Sequence, residues 1–114
     1  MIVDDSEQFL AVAQTYLGRD GLEVVATATT RREALKKAEE VRPDVVLVDI
    51  NLGAESGVEL TRLLVDRFPH LRSRIILIST MDHEDVAELI SDSPAVGFIP
   101  KNVLSARAVG ELVA

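Results

Sequence analysis

Two aliphatic runs, Val45-Val46-Leu47-Val48 and Ile75-Ile76-Leu77-Ile78, interrupt an otherwise mixed pattern of apolar and polar positions. Continuous runs of this length, rich in β-branched residues, predict strands buried on both faces. Pro43-Asp44 bounds the first, and the polar, glycine-containing stretch from Asn51 to Gly57 follows Asp49 and Ile50. The second is predicted over residues 74–80 and ends in two hydroxyls, Ser79 and Thr80. Shorter strands are predicted at residues 1–5, 22–28 and 96–99. The first of these is so short that the sequence is expected to begin a few residues inside the natural domain.

Between the strands the apolar spacing changes to that of amphipathic helices. Ser6 is placed to cap a helix whose inner face is Phe9, Leu10, Ala13, Tyr16 and Leu17, with Gly18 to Gly21 ending it. Thr30 and Glu33, then Ser56 and Glu59, have capping-box spacing. They open helices with inner faces Ala34, Leu35, Ala38, Val41 and Leu60, Leu63, Leu64, Phe68, and a proline follows each. A less apolar helix over 82–91 offers Val86, Leu89 and Ile90, and its outer face carries Asp82, Glu84, Asp85 and Glu88. A last helix over 105–113 offers Val109, Leu112 and Val113. Strand and helix alternate five times with short connections. That pattern predicts an α/β fold, a five-stranded parallel sheet doubly wound by helices, in one domain over 1–114.

Composition narrows the chemistry. The chain has 114 residues, 47% hydrophobic but only 4% aromatic, so its core must be aliphatic. It has no cysteine, which excludes disulfides and thiolate metal sites and suits a reducing cytoplasm. No apolar run approaches the roughly 18 residues of a membrane span, so no membrane role is expected. The net charge of −7 argues against nucleic-acid contact by this domain. His70 and His83 fall in expected loops without ligand partners and read as surface residues.

The strands end in Asp4-Asp5, Asp49, Ser79-Thr80 and Lys101. In a parallel sheet these C-terminal ends share one edge, where open α/β sheets bind their ligands. Each residue alone has an ordinary reading: helix-capping turn for Asp4-Asp5, turn hydroxyl for Ser79, solvated lysine for Lys101. Together they offer three acids, a hydroxyl and a cation. Clustered carboxylates call for a neutralising cation, and hard oxygen ligands suit Mg²⁺. Such a set serves phosphoryl transfer, in which a carboxylate can act as nucleophile.

Val3-Asp4-Asp5, Asp49-Ile50-Asn51-Leu52 with Ser56-Gly57 beyond, Ile78-Ser79 and Gly97-Phe98-Ile99-Pro100-Lys101 occur in order at the right strand ends. In this the chain resembles the receiver domain of two-component response regulators over essentially its whole length. The resemblance implies a flavodoxin-like sheet of strand order 2-1-3-4-5. It implies Asp49 as phosphoacceptor, with Mg²⁺ bound by the Asp5 and Asp49 carboxylates, the Asn51 backbone carbonyl, and Asp4 through water. It makes Ser79 a donor to a phosphoryl oxygen, Lys101 its ion-pair partner, and Phe98 the aromatic that turns inward as Ser79 moves. It further implies a sensor histidine kinase as partner, room for a homodimer, and no enzyme activity beyond the domain's own phosphorylation and dephosphorylation. Output would emerge through the fourth helix, fifth strand and fifth helix.

Three positions depart from the family pattern. Gly53 stands where many receivers have proline, which predicts a less rigid loop. Thr80 replaces a small residue and is expected to narrow access to the phosphoryl site. Asn102 replaces the proline after the lysine, and a cis bond before a non-proline residue is costly. Gly-Phe-Ile-Pro-Lys without that proline looks most like the NarL/LuxR class, in which transcription is controlled through a helix-turn-helix DNA-binding domain. No such domain lies within the 114 residues. A haloacid-dehalogenase-type phosphatase is the alternative of another class, but it needs a second acid where Asn51 stands. No phosphate-binding glycine motif supports a nucleotide-binding module. A degenerate receiver that only binds partners would lack phosphorylation residues that are all present here.

Overall fold

A computed structural model describes all 114 residues. Five parallel strands, β1 (Ile2–Val3), β2 (Thr27–Ala28), β3 (Val46–Asp49), β4 (Ile75–Ser79) and β5 (Gly97–Pro100), form one sheet in the order β2-β1-β3-β4-β5. The helices are α1 (Glu7–Arg19), α2 (Arg31–Val41), α3 (Gly57–Arg67), α4 (His83–Ser91) and α5 (Ala106–Val113). The alternation of strand side chains divides the core. Val46, Val48, Ile75 and Leu77 pack with residues of α2, α3 and α4, whereas Leu47, Ile76 and Ile78 pack with residues of α1 and α5. The sheet is therefore doubly wound and flavodoxin-like, as predicted.

Ser6, Thr30, Ser56 and Ser105 each cap a helix by accepting from the amide three residues on. The capping boxes close only in part. Glu33 accepts from the amide of Thr29 rather than Thr30, and the Glu59 carboxylate faces Arg62. Ser105 is the cap itself, so the last helix starts one residue later than predicted.

The second strand is the largest correction. Only Thr27–Ala28 of the predicted 22–28 pairs, because β1 offers only Ile2 and Val3 as partners. Residues 22–26 keep alternating burial at the sheet edge, and Val25 is 47% exposed. Three apolar residues assigned to inner faces, Tyr16, Val41 and Leu89, lie at the margin of their helical stripes and are more exposed than buried positions tolerate, at 49%, 40% and 44%. His83 also differs from expectation: Asp82 occupies the N-cap position of α4, so His83 is its first residue, and its ring meets Phe98 edge-on at 5.9 Å. His70 is exposed in a short 3-10 turn, with a ring nitrogen 3.2 Å from the Pro43 carbonyl.

The stretch after Asp49 is not an open loop. Asn51–Leu52 pairs antiparallel with Glu55–Ser56 around Gly53-Ala54, and Gly53 has φ 65°. A glycine with positive φ at the first of two central positions is the pattern of a type II′ turn, which proline cannot adopt. Antiparallel pairing orders the stretch in which Gly53 led to the expectation of a less rigid loop. The Glu55 carboxylate also accepts from the Arg31 amide at the start of α2, at 2.8 Å.

Candidate functional site

Register brings the strand ends together. Val3 pairs with Val48, Asp49 with Ile78, and Ser79 with Pro100, so Asp4, Asp49, Ser79 and Lys101 emerge along one edge. Asp4 is fully buried, Asp49 is 6% exposed and Ser79 2%, while Asp5 is exposed. Buried ionisable groups require partners. Lys101, in a 3-10 turn (Lys101–Val103) directly after β5, is the partner. Its Nζ lies 2.6 Å from Asp4 Oδ2 and 3.0 Å from Asp49 Oδ2, and its side chain is 14% exposed.

The two contacts differ in kind. Lys101 donates a well-directed hydrogen bond to Asp49 Oδ2. Its approach to Asp4 Oδ2 is a charge contact of poor hydrogen-bond direction, which leaves that buried oxygen without a hydrogen bond. The other oxygens are bonded locally: Asp4 Oδ1 accepts from the Ser6 amide at 2.9 Å and Asp49 Oδ1 from the Asn51 amide at 3.1 Å. Burial pushes the Asp49 carboxyl above its ordinary range, and the Lys101 and Asn51 hydrogen bonds offset only part of that. For Lys101 burial acts downward, but the close contacts and charges of the Asp4 and Asp49 carboxylates outweigh it and hold the ammonium above its usual value. The lysine is therefore a fixed positive charge.

The acids also fit a metal. Asp4, Asp5 and Asp49 offer carboxylate oxygens within 4.8 Å of one another, and the buried Asp4 Oδ2 has no hydrogen bond. An all-oxygen set of this charge suits a hard divalent cation such as Mg²⁺ or Ca²⁺. The Asn51 carbonyl is available to join it. Gly57 donates to the Ile50 carbonyl at 2.8 Å, so the alternating antiparallel ladder makes Asn51–Ser56 a pair that exchanges no hydrogen bonds. The turn comes close to Asp5, since a side-chain carbon on Gly53 would touch its Oδ2 at 3.6 Å, an ordinary van der Waals distance.

Ser79 Oγ accepts from the Met81 amide at 3.0 Å, and its own proton remains available to an incoming oxygen. Thr80 is exposed beside it. Phe98 is half-buried, packed between the core and the His83 ring. All peptide bonds are trans, that before Asn102 included. Asp4, Asp5, Asp49, Ser79 and Lys101 thus lie at the predicted edge, Asn51 in the hairpin just beyond it, and Phe98 within β5 opposite Leu77. Two residues that shape the site had no site role in the sequence reading, Phe9 being taken as core and Gly57 as part of the motif after Asp49. Phe9 places its ring 4.4 Å from Lys101 Nζ, and Gly57 lets α3 approach the Asp49 backbone.

Residues 1–112 match the family model described as response regulator receiver domain. The chain belongs to the response regulator receiver family. It is a phospho-signalling switch of the two-component type. This receiver is 32% identical over 105 residues to a protein-glutamate methylesterase/protein-glutamine glutaminase of Pseudomonas aeruginosa, covering 90% of the chain and 28% of that protein. It is 29% identical over 110 residues to the response regulator GacA of Pseudomonas viridiflava, covering 96% of the chain and 50% of that protein. A crystal structure of a response regulator from Burkholderia pseudomallei with a phosphorylated aspartic acid, calcium ion and citrate matches with TM-score 0.82 and 26% identity, covering 99% of this chain and 64% of that one. The chain spans half or less of the length of these two curated relatives. No helix is long and apolar enough to cross a membrane.

Proposed function

We propose that Asp49 is the phosphoacceptor of this receiver and that the donor is a phosphohistidine of a sensor kinase. The observation that carries this reading is the buried Asp49 carboxylate, paired with Lys101 at 3.0 Å and grouped with Asp4 and Asp5 at the sheet edge. An Asp49 carboxylate oxygen attacks phosphorus, the P–N bond breaks with its electron pair returning to the imidazole, and an acyl phosphate forms. Asp5, Asp49, the Asn51 carbonyl and, through water, Asp4 would hold Mg²⁺, which would supply charge neutralisation to the carboxylates and the incoming group. Lys101 turns from the carboxylates to a phosphoryl oxygen. The chain catalyses only its own phosphorylation and dephosphorylation.

The output reading follows from what surrounds the site. Ser79 donates its free proton to the phosphoryl group and leaves Met81, and Phe98 turns from His83 into the space vacated. α4 buries only Val86 and α5 only Val109, fewer than any other helix, so the face they flank costs least to shift. The changed face is α4, β5 and α5, available to a second copy or to an attached output domain. By its Gly-Phe-Ile-Pro-Lys run we assign the chain to the NarL/LuxR class, acting in the cytoplasm and controlling transcription through a DNA-binding domain beyond these 114 residues. Such a switch needs only a few kcal/mol of differential contact.

Amide NMR with Mg²⁺ and beryllofluoride, a phosphoryl mimic, tests it. Shifts are expected from the pocket through residues 84 to 110, and Ser79→Ala should confine them to the pocket. Confined shifts in the unmodified chain, or unchanged transmission in Ser79→Ala, would overturn the switch.

A further inference from the structure

The Lys101 ammonium meets an aromatic ring as well as the carboxylates. Phe9, in the first turn of α1, holds its ring centroid 4.4 Å from Lys101 Nζ, within the distance at which a ring face attracts an ammonium. The ring is half-buried and packs against the core between the sheet, α1 and α5. Its backbone is tied to the same acid that the lysine touches. Asp4 Oδ1 accepts from the Ser6 amide at 2.9 Å, and Ser6 Oγ accepts from the Phe9 amide at 3.2 Å. Asp4, Ser6, Phe9 and Lys101 thus close a ring of contacts, with the Asp4–Lys101 ion pair at 2.6 Å as its last link.

We propose that Phe9 is a positioning residue for phosphoryl transfer, holding the Lys101 ammonium against the carboxylate edge through its ring face. This rests on Asp49 as the phosphoacceptor. A cation–π contact has little directional demand, unlike a hydrogen bond. The ammonium can therefore turn from Asp4 and Asp49 toward a phosphoryl oxygen without losing the ring. The ring also occupies volume that water would fill, which keeps the local dielectric low and strengthens the attraction of Lys101 for the transferring group. An aliphatic side chain would exclude water equally but offers no quadrupole. The contact with the aromatic face is therefore what matters, and substitution can separate it from packing.

The test compares the unmodified chain with Phe9→Leu and Phe9→Tyr, using acetyl phosphate and saturating Mg²⁺. The rate constant of phosphorylation is expected to fall at least about threefold in Phe9→Leu and to recover to within about twofold in Phe9→Tyr. In parallel, the Lys101 side-chain ε-methylene protons should show an upfield ring-current shift in the unmodified chain and in Phe9→Tyr, lost in Phe9→Leu. That signature does not depend on reactivity or on stability. A phosphorylatable chain in which Phe9→Leu reacts at the unmodified rate, or in which Phe9→Tyr is as slow as Phe9→Leu, overturns the positioning role while leaving Asp49 in place. An absent ring-current shift overturns it as well. A chain that takes no phosphate at all overturns the phosphoacceptor reading, and this role with it.

Discussion

Replacing Gly57 by alanine is expected to lower the unfolding free energy by at least about 3 kcal/mol. The sign is unusual, because glycine to alanine within a helix ordinarily stabilises by up to about 1 kcal/mol. Here the added carbon would stand 1.8 Å from the Asp49 carbonyl oxygen and 2.8 Å from its carbonyl carbon. Neither side can give way cheaply. Gly57 is pinned by its amide donating to Ile50 and by its carbonyl accepting from the Thr61 hydroxyl, each at 2.8 Å. Asp49 is held in β3, paired with β4. The strain therefore falls on the backbone that carries the phosphoacceptor, and phosphorylation should be lost with stability. Gly110→Ala in α5, where nothing lies within 4 Å, is the control and should stabilise by roughly 0.5–1 kcal/mol. Urea unfolding of both variants decides it: equal effects at the two positions would contradict the close approach of α3 to the strand end.

Lys101→Met should be the most destabilising change at the strand-end edge itself. It leaves the Asp4 and Asp49 carboxylates, 0% and 6% exposed, with no cation between them. Oxygens within 4.8 Å repel by about 3 kcal/mol at an effective dielectric near 20. Breaking a buried pair by removing one partner costs roughly 3–5 kcal/mol, and the melting temperature falls by roughly 4 °C per kcal/mol. Burial already pushes Asp49 upward with the lysine present, so its removal favours the protonated carboxyl further. Millimolar Mg²⁺ should recover much of the loss, because it neutralises the same oxygens and binds only the folded chain. The melting shift on adding Mg²⁺ is thus expected to be larger in Lys101→Met than in the unmodified chain. Lys36→Met, an exposed change on α2, should stay within about 0.5 kcal/mol. A Lys101→Met chain that melts like the unmodified one, or shows no larger Mg²⁺ shift, would contradict the electrostatic description of the site.

What was legible in the sequence follows from the reach of each signal. Asp4, Asp49, Ser79 and Lys101 were placed correctly because two uninterrupted aliphatic strands and a parallel topology leave their ends no other location. β2 was overextended because a strand exists only as far as its neighbour pairs, and the neighbour is two residues long. The hairpin over Asn51–Leu52 and Glu55–Ser56 carries no alternation, and its signal was one glycine with a conformation that sequence does not display. Gly57 stood out only in the motif with Ser56, because its close approach to Asp49 is a tertiary fact. Phe9 fell at helical spacing and read as core, which it partly is. Only the arrival of Lys101 over its face, 92 residues later in the chain, gives it a second role. The caps Ser6, Thr30 and Ser56 were recovered, since a cap is local, whereas Ser105 read as the first helical residue.

The central claim is that Asp49 takes the phosphoryl group, and mass measurement after incubation with acetyl phosphate and Mg²⁺ tests it most directly. The chain should gain the mass of one phosphoryl group, located on the peptide containing Asp49 after reduction of the acyl phosphate with borohydride. Asp49→Ala should gain none, and a chelator should suppress the gain in the unmodified chain. Equal phosphorylation of Asp49→Ala, or an undiminished yield with the chelator present, would contradict the account.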